Sequence, residues 1–127
     1  RRQELPPNAF VTLDELRANA GTLEANFGLR IICVSYPWLT PEHPDPKGEH
    51  LKTIAFVLRA YLKAHLGLWA VFWDFASLHQ HSDDAARNVP ESLLFKQALS
   101  FLGRFYAHAS TTVLMLTQLP FQYRKGL

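Results

Sequence analysis

Long apolar runs are missing from this sequence. None approaches the ~18 residues that a membrane-spanning helix needs, and there is no succession of basic, apolar and small residues of the kind that makes a secretory leader. The expectation is a cytoplasmic chain with no membrane partner. Cysteine is scarce: Cys33 is the only one. No disulfide can form within one chain, which fits a reducing compartment, and the setting of Cys33 in LRIICVSY is that of a small buried hydrophobe. Charge of one sign is not concentrated anywhere. The net charge is +2 and no basic run exceeds Arg1-Arg2, so a nucleic-acid partner is not expected. Neither G-x-G-x-x-G nor G-x-x-x-x-G-K-[ST] occurs, which excludes the usual dinucleotide fingerprint and phosphate loop but not a nucleotide bound as substrate. Internal repeats and low-complexity segments are lacking as well.

What is there suits a single globular domain. With 127 residues, of which 48% are hydrophobic and 19% charged, the chain can bury one core and is not of disordered composition. Residues 1–10 read as an extended arm, because Pro6 and Pro7 oppose a helix. Thr12 and Glu15 have capping-box spacing, with Val11 and Leu16 at the staple positions, so a short helix is predicted from about Leu13 to Asn19. LRIICVSY (29–36) is apolar throughout and β-branched, as in a strand covered on both faces. A proline-rich loop, PWLTPEHPDP (37–46), follows. Asp45 then resembles an N-cap with Pro46 in the first helical position, and the stripe Leu51, Ile54, Ala55, Leu58, Tyr61, Leu62, His65 predicts a helix over about 46–65, closed by Gly67.

The second strand is predicted over 68–76 (LWAVFWDFA), and LHQHSDDAARNVP (78–90) is a polar loop. Asn88 and Glu91 repeat the cap arrangement with Pro90 between them, opening a helix whose stripe is Phe95, Ala98, Leu99, Leu102, Phe105, Tyr106 and Ala109. TTVLMLT (111–117) is the third strand. Alternating strands and helices imply an α/β fold, a small parallel sheet of about three strands in the flavodoxin-like order 2-1-3, flanked by helices and preceded by a short one. Ligands in such sheets bind beyond the carboxyl ends of the strands. That places Ser35, Tyr36 and Trp38 after the first strand, Asp74 after the second, and Thr117 and Gln118 after the third on one rim. It also explains a charge inside an apolar run: Asp74 stands where the strand gives out.

VSYPW (34–38), WAVFWDFASLHQ (69–80), Glu91 and FLGRFYAHASTTVLML (101–116) together resemble the heterokaryon-incompatibility domain, whose pattern runs Ser-Tyr-x-Trp-Gly, then a strand ending Trp-x-Asp-x-x-Cys-Ile-x-Gln, an acid opening the next helix, and an aromatic helix-to-strand join. Ser35, Tyr36, Trp38, Asp74 and Gln80 coincide with it. Leu39, Ser77 and Leu78 stand where the family has Gly, Cys and Ile. The resemblance covers roughly residues 29–117 and implies a fold similar to Toll/interleukin-1 receptor (TIR) domains. Members of that fold assemble by homotypic contacts or cleave NAD at its nicotinamide bond, the latter with a glutamate beyond the third strand. Residues 118–127 contain neither Glu nor Asp, and a piece of a larger domain is one expectation for a chain ending just after a third strand.

Each candidate has a functional and a structural reading. Asp74 could orient a ribose hydroxyl or steady an oxocarbenium ion, or accept backbone amides of the turn 76–80. Glu91 could act as the acid or complete the cap with Asn88. Tyr36 and Trp38 could stack on a ligand ring or cover the sheet end; Ser35, Ser77 and Gln80 share that rim, and Ser35 lacks the context of a nucleophile. His79, His81, Asp83 and Asp84 are the one dense set of ligand types, but H-x-H in a polar loop is commonplace and no metal is expected; His43 and His50 flank the other loop. The helix start near Pro46, with Lys47, could offer amides to a phosphate. Two function classes follow: a signalling or defence domain that binds or hydrolyses NAD through Asp74 and Glu91, with no other cofactor, or a non-catalytic module that associates with itself or with other signalling domains.

Overall fold

The computed structural model describes residues 1–20, 29–81 and 86–124. At its centre is β1 (Arg30–Ser35), flanked by β2 (Trp69–Phe72) on one side and β3 (Thr111–Met115) on the other. All pairings are parallel, with Ile31 opposite Ala70 and Thr111, and Cys33 opposite Phe72 and Val113. The expected α/β architecture and strand order are therefore found. A middle strand is shielded on both sides and both faces, and this one is the driest part of the molecule: Ile32, Cys33 and Val34 are at most 1% exposed.

The crossover from β1 to β2 is α2 (Glu49–Ala64), and that from β2 to β3 is α4 (Val89–Tyr106), with a one-turn α3 (Asp74–Ser77) between. The crossovers run in opposite directions along the sheet, so right-handed connections put the two helices on opposite faces. Side-chain contacts agree. Tyr61 of α2 packs edge-on against Trp69 and lies 3.4 Å from the hydroxyl of Thr112, whereas Phe105 and Tyr106 of α4 pack against Phe72, three residues along β2 and on its other side. Tyr106 also donates to the carbonyl of Val34.

α1 (Leu13–Ala20) begins at the expected capping box: the Thr12 hydroxyl accepts from Glu15 N–H, and the Glu15 carboxylate accepts from Thr12 N–H and its hydroxyl. Four boundaries differ from the sequence reading. The N-terminal arm is not extended throughout, since 3-10 turns form at Arg2–Glu4 and Pro7–Ala9; the fixed φ of Pro7 suits a first turn position as well as it opposes a helix interior. α2 starts at Glu49 rather than Pro46. The carbonyl of Asp45 accepts from Gly48 N–H in a tight turn, and Gly48 takes a left-handed φ of 70° that a side chain would resist. β2 ends at Phe72, because Trp73 to Ser77 coil into α3. β3 ends at Met115, although Leu116 N–H still reaches the carbonyl of Ser35.

Candidate functional site

The ends of β1 and β2 meet through side chains. Tyr36, one residue beyond β1, donates its phenol to Oδ1 of Asp74 at 2.7 Å. The same oxygen accepts Phe75 N–H at 2.6 Å, so the amide that Asp74 holds is its immediate neighbour's and not one of 76–80. Its Oδ2 has no hydrogen-bond partner among the described residues. Tyr36 is wedged edge-on between Trp73 and the buried His50, whose Nε2 lies 3.0 Å from the Pro37 carbonyl. Burial, reinforced by the Asp74 carboxylate, pushes the phenol pKa above its ordinary value. It therefore stays a neutral donor.

The α3 turn that presents Asp74 is held by the residues after it. The Ser77 hydroxyl accepts Trp73 N–H, and the Gln80 amide donates to the carbonyls of Asp74 and Leu78. The arm clasps the same turn from outside: Arg2 donates to the Ser77 carbonyl and to Nε2 of His79. The proline-rich loop covers the other side. Its His43 ring packs on Phe75 and accepts Asp45 N–H at Nδ1, while Trp38 meets Phe75 edge-on. Burial first, and the cationic N-terminus second, lower the pKa of His43.

A cavity of about 530 Å³ opens beside Asp74, between the loop residues Trp38, Pro41 and Glu42 and the α4 side chains Phe95, Leu99 and Leu102. It falls in the range of small-molecule sites. Asp74, Gln80, His81 and Arg87 supply its polar lining, with Arg1. Arg87 went unnoticed in the sequence. Its guanidinium carbon lies 3.7 Å from the Phe95 ring centre, and its Nε and Nη1 are buried without hydrogen-bond partners among the described residues. An arginine just ahead of a helix cap reads as a solvated charge, and only the eight-residue spacing to Phe95 hints otherwise.

The other candidates lie apart. Glu91 forms the capping box with Asn88, accepting Asn88 N–H at 2.9 Å, and its second oxygen is 3.8 Å from Nε2 of His79. That nitrogen also accepts from Arg2. Glu91 is not among the residues lining the cavity of Asp74. Thr117 and Gln118 line a second cavity of about 490 Å³ with Glu49, His50 and Arg124, so the rim expected to be shared by three strand ends is divided in two. Ser35 lines neither. The phosphate cradle expected near Pro46 and Lys47 does not form: α2 starts later, and the buried Asp45 carboxylate already takes the Leu51 amide of its first turn. Asp83 and Asp84 fall outside the described residues; among the described ones, no group of three or more His, Cys, Asp or Glu is gathered to hold a metal ion. No helix there is long and apolar enough to cross a membrane.

Compared with known proteins, the chain gives no significant match to a family model, a curated protein or a solved structure.

Proposed function

We propose that this chain is a signalling or defence domain of the heterokaryon-incompatibility and TIR kind that binds a nucleotide, NAD foremost, beside Asp74. The observation that carries this reading is the carboxylate itself: one oxygen fixed by Tyr36 and Phe75, the other without a partner among the described residues, on a cavity flanked by Trp38. Such a group accepts a ribose hydroxyl, and a half-exposed indole gives a base or nicotinamide ring a flat surface. In the hydrolytic version, the bond from the ribose anomeric carbon to nicotinamide breaks and the electron pair leaves with neutral nicotinamide. Asp74 steadies the oxocarbenium charge, and water forms the new C–O bond and releases a proton. Glu91, engaged in its cap, is the less suitable carboxylate for this role.

Incubating the protein with NAD while following free nicotinamide, and titrating ADP-ribose by calorimetry, tests the proposal. Saturable binding that Asp74→Ala abolishes is expected. If ADP-ribose does not bind, or binds Asp74→Ala equally well, the reading falls; binding without nicotinamide release removes the hydrolytic version alone.

A second reading, self-association with a second copy of the chain, draws on a different observation. No residue of α4 is fully buried, and Val89, Leu93, Leu94 and Phe101 are all more than half exposed. Light scattering should give the mass of a dimer, lost on Phe101→Glu; a monomer at high concentration would remove this reading.

A further inference from the structure

We propose that two copies of this chain join edge to edge through β3, the two strands running antiparallel about a two-fold axis at Val113. This rests on the self-association reading and names its seam. A parallel ladder turns the backbone groups of alternate residues toward the neighbouring strand. Ile31 N–H reaches the Ser110 carbonyl and Leu116 N–H the Ser35 carbonyl, so the even-numbered residues of this stretch serve β1. The backbone groups of Thr111, Val113 and Met115 therefore face away from it, and β3 is an end strand in the order β2-β1-β3. Apart from Thr111 N–H, which closes a turn on the His108 carbonyl, they have no hydrogen-bond partner among the described residues.

Native sheets protect such an edge with charge, proline, a bulge or shortness. β2 is protected: it has four residues, and Trp73 N–H is taken by the Ser77 hydroxyl as the chain coils into α3. β3 has none of these devices. No residue from Ser110 to Tyr123 is charged, and the first proline after β3 begins is Pro120. The register with β1 runs unbroken from Thr111 to Met115, and Met115 is 69% exposed.

A second copy of the same strand fits this edge. Antiparallel pairing centred on Val113 sets Val113 opposite itself and Thr111 opposite the second copy's Met115, so all three outward-facing residues meet outward-facing residues. An uncharged strand brings no like charge against its copy. The axis of such a pair is normal to the sheet, so each face continues into the same face of the second copy. Thr112 meets Tyr61 on the α2 side, which puts Val113 and Met115 on the α4 side. α4 packs against β3, so both copies of α4, with their exposed Leu93, Leu94 and Phe101, flank the seam on one face of the joined sheet. The bare edge and the exposed helix are thus brought to one interface.

The test measures mass by light scattering against concentration for the wild type, Val113→Pro and Met115→Lys, with circular dichroism to check folding. Proline at 113 removes an outward amide, where edge strands tolerate it, and lysine at 115 adds the missing charge. The wild type should be a dimer. Val113→Pro should raise its dissociation constant about tenfold to a hundredfold, since the symmetry doubles each lost hydrogen bond, and Met115→Lys should weaken it as well. Val113→Cys should cross-link the copies on mild oxidation, because hydrogen-bonded partners stand about 5.5 Å apart at Cα, within disulfide reach; Cys33 is buried and does not compete. A dimer that Phe101→Glu dissolves but Val113→Pro and Met115→Lys leave intact, with no cross-link through Val113→Cys, overturns the seam and leaves self-association standing. Open-ended oligomers in place of a dimer overturn the two-fold pairing, and a wild-type monomer at high concentration overturns both readings. Should Val113→Pro not fold, Met115→Lys and the cross-link decide.

Discussion

The phenol of Tyr36 and the carboxylate of Asp74 form a 2.7 Å hydrogen bond that links the ends of two adjacent strands. Removing the donor tests its worth. Tyr36→Phe keeps the ring contacts with His50 and Trp73 and deletes only the hydroxyl, so urea denaturation should show a loss of about 1–2 kcal/mol, the range of a hydrogen bond to a charged group that is partly solvated. A change below about 0.3 kcal/mol would mean that solvent replaces the bond.

Stability should fall at both ends of the pH scale, for opposite reasons. Burial and then the Asp74 carboxylate raise the pKa of Tyr36 in the native state. Above pH about 10 the unfolded chain therefore loses a proton that the native chain keeps, and stability declines as pH rises. Tyr106, raised by burial, acts in the same direction. Burial and the cationic N-terminus lower the pKa of His43, so its contribution is complete above about 6.5 and is lost as pH falls through the native value. Urea midpoints between pH 5 and 11 should trace both limbs. Tyr36→Phe should flatten the alkaline one and His43→Gln the acid one; unaltered limbs in those variants would show that other groups set them.

The cap of α4 can be separated from any chemistry at Glu91. Asn88→Ala and Glu91→Ala should each cost about 0.5–2 kcal/mol. Glu91→Gln, which retains the reciprocal acceptor of a capping box, should stay within about 0.5 kcal/mol of the wild type by chemical denaturation. If Glu91→Gln were stable yet ended nicotinamide release, Glu91 would be the working acid after all.

Cys33 is 0% exposed, and burial raises its thiol pKa. It should resist a disulfide reagent in the native protein and react at the rate of chain opening, accelerating with urea. Immediate labelling without denaturant would contradict the packing of β1.

The sheet was legible because buried parallel strands write themselves as apolar runs, and LRIICVSY, LWAVF and TTVLM do so. Both capping boxes were legible for the same local reason, since Thr12 with Glu15 and Asn88 with Glu91 act over three residues. What escaped depends on distant partners or on competing local signals. Asp45-Pro46 is a plausible helix start, but Gly48 offers the chain a turn instead, and Asp45 reaches the helix from outside it. WDFAS reads as the tail of a strand until the Ser77 hydroxyl closes it into a turn on Trp73. The rim position of Asp74 followed from topology, whereas its bond to Tyr36 and the stacking of Arg87 on Phe95 are matters of side-chain placement that no periodicity encodes. The resemblance of the Ser35, Tyr36, Trp38, Asp74 and Gln80 pattern to the heterokaryon-incompatibility domain stays a proposal, resting on those residues.

The middle strand of the sheet is also its earliest in sequence. Ile31 finds its partners only at Ala70 and Thr111, so during synthesis the strand that becomes the most buried emerges from the ribosome long before either neighbour exists. No hairpin can shelter it in the interval. Folding of this chain is therefore paced by loop closure over long separations, and the same central placement that keeps Ile32, Cys33 and Val34 dry in the native state makes nascent β1 a natural client for chaperones.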